Sequence, residues 1–159
     1  MRFLALLLMT SCGAPPSKPM RHGPVYVVLG TSAAALAPSI WKVCDEFNVQ
    51  LGKTYFDSAG HEDMLAFEVL PADTELSDPS VLAFTPDTHI IEFRSTIPML
   101  APGGPGVLAV ITHEMGHALG LSHSKDIHNI MYPEISTANL PDFPGTVSQV
   151  LEAVGVENL

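Results

Sequence analysis

The pattern of apolar positions predicts a strand followed by a helix in the first third of the chain. Residues 25–30 are rich in β-branched and aromatic side chains and end on a glycine, which predicts a buried strand. We predict a helix over 37–51, with Pro38 in its first turn and Gly52 at its end. Its apolar positions are spaced so that they trace one helical face, and they are Leu36, Ile40, Val43, Cys44 and Phe47.

The middle of the chain predicts further strands. Residues 67–70 form a short candidate strand between acidic loops. Residues 80–84 and 87–93 predict two adjacent strands joined by a turn at Pro86–Asp87. Three prolines and three glycines within residues 98–106 then predict a loop.

Two more helices are predicted towards the C-terminus. Helical periodicity resumes at Val107, and the apolar positions on one face are Leu108, Ile111, Met115 and Leu119. After a polar, proline-bearing loop at 134–144, we predict a last helix over 146–154. Thr146 and Gln149 match a capping box at its start, and Gly155 is a plausible stop.

Composition indicates one folded domain and excludes some functions. The chain has 159 residues, and 47% of them are apolar, which is enough for one hydrophobic core. The net charge is −10 with only 7 Lys and Arg residues and no basic cluster, so nucleic-acid binding is not expected. Cys44 lies in a helical pattern and no catalytic-cysteine signature surrounds it, so we interpret it as a small buried residue.

The N-terminus has features of an export signal. Arg2 precedes an apolar run over residues 3–9, which is too short to span a bilayer as a helix. The sequence Thr10-Ser11-Cys12 then resembles a bacterial lipoprotein signal. We therefore predict a signal peptide over 1–11, lipidation of Cys12, a proline-rich tether over 12–24 and a folded domain over 25–159. The alternatives are ordinary secretion and a mispredicted start codon.

Residues 113–123 carry the candidate chemistry, in the pattern H-E-x-x-H-x-x-G-x-x-H. On a helix His113 and His117 lie on one face, so both imidazoles can reach one metal ion. Gly120 can end the helix at positive φ and bring His123 round as a third ligand. Glu114 can reach a water held on that ion. Three neutral nitrogen ligands and an open position are typical of a catalytic zinc. The alternative is that the histidines merely decorate a helix.

A second motif, Ile130-Met131-Tyr132-Pro133, follows the third histidine. The two motifs together resemble the metzincin zinc peptidases, whose zinc motif is followed by a methionine-containing turn. Within them, residues 117–124 and 131–133 are most similar to the matrixins. Astacin-like relatives carry a metal-binding tyrosine two positions after the methionine, whereas Tyr132 is one position after, so no fifth ligand is implied. The close match covers residues 113–133.

The resemblance implies an α+β fold of one domain. A twisted mixed sheet would have an edge strand over an active-site cleft, packed with three main helices. Met131 would form a hydrophobic floor beneath the metal. An extended peptide would add to the edge strand, and the loop at 134–144 would wall a substrate pocket. The substrate-binding residues implied are Val81, Leu82, Ala83, Phe84, Tyr132 and Pro133.

The matrixins also hold structural zinc and calcium ions in the region corresponding to residues 53–79. The candidate ligands here do not reproduce that spacing, and they are Asp57, His61, Asp87 and His89. We interpret them as surface residues and predict no structural Ca²⁺ or second Zn²⁺. Asp126 and His128 are likewise interpreted as surface residues, with His128 a fallback ligand only.

The sequence thus predicts an extracytoplasmic zinc endopeptidase, monomeric, in which Glu114 is the general base for peptide hydrolysis. Two alternatives remain. One is a lipoprotein that binds peptides or a partner protein and keeps a zinc site for stability. The other is a non-peptidase zinc hydrolase acting on another amide or an ester.

Overall fold

A computed structural model describes residues 8–9, 23–60, 63–75, 81–97, 103–135 and 142–159. Several predictions lie outside these ranges. They are most of the signal peptide, Cys12, most of the tether, His61, Ser80, and parts of the loops at 98–106 and 134–144. No helix within the described ranges is long and apolar enough to cross a membrane.

A five-stranded mixed sheet forms one layer of the fold. Its strands are β2 (Val25–Leu29), β3 (Phe56–Asp57), β4 (Asp63–Val69), β5 (Ala83–Asp87) and β6 (Ile90–Phe93), in the spatial order β3-β2-β4-β6-β5. Only β5 runs antiparallel to its neighbour, and it lies at the edge of the described sheet. The predicted mixed sheet and edge strand are confirmed, whereas β3 was not predicted and β4 begins before residue 67.

The predicted turn at Pro86–Asp87 is wrong. Both residues belong to β5, and the chain turns at Thr88–His89, where the His89 N–H donates to Asp87 Oδ1 at 2.6 Å. Pro86 has no N–H to donate, but it is exposed and the strand is at an edge, so the ladder tolerates it. The edge strand also begins later than predicted, at Ala83, while Val81 forms only an isolated bridge.

Three main helices pack against one another, and the first two also contact the sheet. The first, α1 (Ala37–Leu51), has the predicted bounds, with Pro38 in its first turn and Gly52 in the left-handed region at φ 64°. The second, α2 (Pro105–Ala118), begins two residues before Val107, since proline is tolerated in a first helical turn. The last, α3 (Phe143–Val154), begins before the predicted Thr146.

The capping box predicted at the start of α3 is wrong. Thr146 lies inside the helix, where its hydroxyl donates to the carbonyl of Phe143 at 2.7 Å. The side chain of Gln149 instead reaches the loop after α2, as described below. Asp142 occupies the N-cap position but makes no capping hydrogen bond through its side chain.

The hydrophobic core lies between the sheet and the helices. Every apolar position predicted on α1 and α2 is buried in it. Cys44 is a free, buried thiol, and burial raises its pKa far above the ordinary range, so it is not a ready nucleophile. Outside the main sheet, β1 (Leu8–Met9) pairs antiparallel with β7 (Glu134–Ile135).

Candidate metal centre and active site

Residues 113–123 bring three imidazoles together at the C-terminal end of α2. His113 and His117 are one helical turn apart, and their Nε2 atoms are 3.0 Å from each other. The chain leaves the helix at Leu119, and Gly120 adopts a φ of 96°, which favours glycine. This turn brings His123 to the pair, so one ring nitrogen from each of the three histidines lies within 4.8 Å of the others.

Backbone carbonyls orient two of the rings. The Nδ1 atom of His113 is 2.7 Å from the carbonyl oxygen of Ile130, and the Nδ1 atom of His117 is 2.7 Å from that of Leu121. A carbonyl oxygen only accepts, so each Nδ1 must carry the proton. Each Nε2 therefore presents a lone pair to the cluster, which is the form that binds a metal.

The polar atoms of the cluster fit a metal ion. The Nε2 atoms of His113 and His117 are 3.0 Å apart, and a cation bound by both would replace the repulsion between their lone pairs with coordination. The Nε2 atom of His123 is buried and has no hydrogen-bond partner among the residues that the structure describes. Buried polar atoms normally have partners, so this atom fits a ligand to an ion. The donor set of three neutral nitrogens suits zinc.

Burial keeps these histidines neutral. It lowers the pKa of His113 to about 3, with a smaller contribution from a charge on His117. It lowers the pKa of His117 to about 4 and also lowers the pKa of His123. Because only neutral imidazole binds a metal, the low pKa values keep the ligands ready at neutral pH.

Glu114 is fully buried and lies against the sheet. Its carboxylate Oε2 accepts a hydrogen bond of 2.7 Å from the hydroxyl of Thr85 on β5. The sequence reading missed Thr85. The only sign of Thr85 in the sequence was a polar residue at a strand position that faces the core. In the structure Ala83 and Thr85 are buried, whereas Phe84 and Pro86 are not.

Met131 packs against α2 at Gly116. It is buried, and a Cβ added at Gly116 would lie only 2.4 Å from its sulfur. Gly116 therefore allows the helix and the methionine to approach each other closely. Met131 is thus a buried hydrophobic residue, and its role as a floor beneath a metal stays a prediction.

Three hydrogen bonds fix the turn that carries Met131. The N–H of Ser124 donates to the Met131 carbonyl at 2.8 Å, and the N–H of Met131 donates to Asn129 Oδ1 at 2.8 Å. From α3, Gln149 Oε1 accepts the N–H of Ile130 at 2.7 Å. Because the carbonyl of Ile130 also accepts a hydrogen bond from His113, Gln149 connects α3 to the histidine cluster through this turn.

The residues predicted to bind substrate lie on two elements. Val81 and Ala83 are buried on or beside β5, whereas Leu82 and Phe84 are half-buried. Tyr132 and Pro133 are half-buried just before β7. The edge strand β5 packs on α2, which carries the histidines.

The other candidate ligands lie elsewhere. Asp126 and His128 are exposed, as predicted for surface residues. Asp87 and His89 contact each other in the turn after β5, at 3.6 Å between Oδ1 and Nδ1. Within the described ranges, the cluster of His113, His117 and His123 is the only group of three or more such side chains close enough to share an ion.

Comparison with known proteins gives two matches. The sequence model of a peptidase family described as matrixin matches residues 45–148. A matrilysin from Felis catus is 42% identical over 55 residues, which cover 33% of this chain and 21% of that protein. The matched region thus spans about a fifth of the length of this relative.

Proposed function

The chain belongs to the matrixin family, and on that premise we propose that it is a zinc-dependent endopeptidase. The observation that carries the proposal is the convergence of imidazole nitrogens from His113, His117 and His123, with the carboxylate of Glu114 buried beside the first ligand. Three nitrogen ligands leave a position open for water or substrate, whereas a structural zinc is closed by four protein ligands.

The chain's own contribution to the reaction is to move a proton. A bound Zn²⁺ supplies Lewis acidity, which polarises a carbonyl oxygen and makes water more acidic. The carboxylate of Glu114 accepts a proton from the attacking water as general base. It then donates that proton to the nitrogen of the leaving amine as the C–N bond breaks, and a carboxylic acid and an amine result.

The substrate that suits this arrangement is an extended peptide. The edge strand β5 packs on α2 and has no neighbour on its outer side among the described strands. An extended chain can add to such an edge through backbone hydrogen bonds, with little demand on its side chains.

The test is metal analysis of the purified chain, paired with digestion of an unstructured protein with and without a chelator. We expect about one zinc per chain and internal cuts that the chelator abolishes. Zinc without any cleavage would favour a binding module that retains a metal site. Hydrolysis of esters or acylated sugars but not peptides would favour a non-peptidase hydrolase. Absence of zinc would contradict the proposal.

We also propose that the protein is exported and anchored through a lipid on Cys12, and that it acts as a monomer. The support is the apolar run over residues 3–9 and the small residues before Cys12. Mass spectrometry of the protein purified from membranes should find a diacylglycerol-modified Cys12 at the N-terminus. A soluble protein whose N-terminus is another residue would contradict lipidation. Light scattering measures the molar mass in solution and so tests whether the protein is a monomer.

A further inference from the structure

We propose that Thr85 is a positioning residue for Glu114. Its hydroxyl would hold the carboxylate in the orientation needed for proton transfer, and it would do so from the sheet, not from the helix that bears Glu114. The kinetic consequences rest on the proposed peptidase function. The hydrogen bond itself does not, so it can be tested in a protein without turnover.

The bond joins two buried groups that are far apart in sequence. Thr85 is 5% exposed and Glu114 is 0% exposed. The distance from Thr85 Oγ1 to Glu114 Oε2 is 2.7 Å, and the backbone carbonyl of Glu114 lies 3.2 Å from the same hydroxyl. A hydroxyl has one proton to donate, and the carboxylate oxygen is both the nearer and the stronger acceptor.

An irregularity in β5 accompanies this contact. Phe84 pairs with Glu92 and Asp87 pairs with Ile90, so two residues of β5, Thr85 and Pro86, lie opposite one residue of β6. Such a bulge redirects side chains, and bulges are frequent next to active sites. Thr85 is buried towards α2 while Pro86 is exposed, so the bulge presents the hydroxyl to the helix.

Packing alone does not account for a threonine at this position. Valine has nearly the same shape and would fill the space without burying a hydroxyl, which costs free energy unless it is hydrogen-bonded. A glutamate side chain also has three rotatable bonds, and a catalytic group gains from having its orientation fixed before substrate binds. The hydrogen bond to the carboxylate gives the buried hydroxyl of Thr85 a partner and restricts the orientation of the Glu114 side chain.

The kinetic test compares Thr85→Val with Thr85→Ser. Loss of the hydroxyl should lower kcat by about 10- to 100-fold, the range typical of residues that orient catalytic groups, with KM and zinc content little changed. Serine keeps the hydroxyl and should recover most of that loss. Thr88→Val is the matched control, because Thr88 is also 5% exposed and lies in the same hairpin, but its hydroxyl is near His89. It should leave kcat unchanged.

The second readout is thermal unfolding of the zinc-free protein in four forms: the unmodified chain, Thr85→Val, Glu114→Ala and the double variant. Valine should lower the unfolding midpoint when Glu114 is present, since the buried carboxylate loses a donor. In the Glu114→Ala background the same change should have little effect or raise the midpoint. This cycle isolates the contact between the two side chains.

The outcomes separate this proposal from the proposed function. If the unmodified protein has no peptidase activity, the proposed endopeptidase function is contradicted. A midpoint shift for Thr85→Val that depends on the presence of Glu114 would still support the Thr85–Glu114 bond. Equal midpoint shifts in both backgrounds would overturn the proposal, whether or not the enzyme is active. An unchanged kcat for Thr85→Val, or an effect confined to KM, would overturn the positioning role in an active enzyme.

Discussion

The two sides of the active site position their functional groups in different ways. On the side of the turn that carries Met131, backbone carbonyls of Ile130 and Leu121 orient His113 and His117. On the side of the sheet, the hydroxyl of Thr85 donates a hydrogen bond to the carboxylate of Glu114. Backbone carbonyls are present whatever the side chain is, so the orientation of His113 and His117 should tolerate substitution of Ile130 or Leu121. The proposed contact with Glu114, by contrast, depends on the side chain at position 85.

The largest effect is expected at the base itself. Glu114→Ala should lower kcat for peptide cleavage by about 10²- to 10⁴-fold, since it removes the group that accepts and returns the proton. Zinc content should not change, because the ligands are held from the other side. Peptide cleavage assays with metal analysis check this, and Glu152→Ala on the exposed face of α3 is the control. Normal turnover by Glu114→Ala would remove it from the mechanism.

The next largest effect is expected at Gln149, and it tests how far the orientation of His113 by the Ile130 carbonyl depends on α3. Gln149→Leu removes the acceptor of the Ile130 N–H and loosens the turn whose carbonyl orients His113. Zinc affinity should fall by about 10- to 100-fold. Gln149→Glu keeps an acceptor for that N–H and is the matched comparison. Zinc affinity is measured by chelator competition. Equal affinities for the unmodified protein and the two variants would show that the turn orients His113 without its hydrogen bond to Gln149.

The pH dependence of stability should report the buried histidines. Burial lowers the pKa of His113 and His117 in the folded state to about 3 and about 4, whereas both titrate near 6.5 when unfolded. Their stabilising contribution is therefore complete above about pH 6.5 and decreases as pH falls towards the folded pKa values, because the unfolded chain binds more protons.

This dependence is best measured between pH 6.5 and pH 5, above the range in which carboxylates titrate. The unfolding free energy of the zinc-free protein should fall towards a limiting slope of about 1.4 kcal/mol per pH unit for each histidine. Denaturant unfolding of the unmodified protein and of His117→Gln gives the comparison, and the variant should show the shallower dependence. Parallel curves would show that His117 is not kept neutral in the folded state.

The smallest effect is expected beneath the metal cluster. Gly116→Ala improves helix propensity by about 1 kcal/mol but places a methyl group against the sulfur of Met131. Overpacking of this kind costs about 1–3 kcal/mol, so we expect a net loss of about 1 kcal/mol in unfolding free energy. Denaturant unfolding measures it, with Gly60→Ala as control because nothing lies within 4 Å of a Cβ there. A more stable Gly116→Ala would show that Met131 moves without cost.

The local elements were predictable from the sequence. The bounds of α1 follow from the spacing of its apolar residues, from Pro38 and from Gly52. The three histidines follow from the same kind of information, because residues four apart share a helical face and a glycine supplies the turn. In each case the signal and the structure it predicts lie within about four helical turns of chain.

Where the sequence reading failed, a distant partner decided the outcome. Gln149 was interpreted as part of a local capping box, but its side chain bonds to Ile130 in another element. Pro86 was interpreted as a turn residue, but an edge strand accepts it. The two residues of β3 carry too short a pattern to be predicted and exist because they pair with β2.

The sequence by itself thus determined that three histidines converge, that Glu114 follows the first of them, and that α2 carries these groups, because helical periodicity and glycine turns are local properties. Only the tertiary structure decided what orients those groups. Thr85 and Glu114 are 29 positions apart, and Ile130 and His113 are 17 apart. Such contacts arise from packing the sheet edge and the turn of Met131 around α2, and no spacing along the chain encodes them.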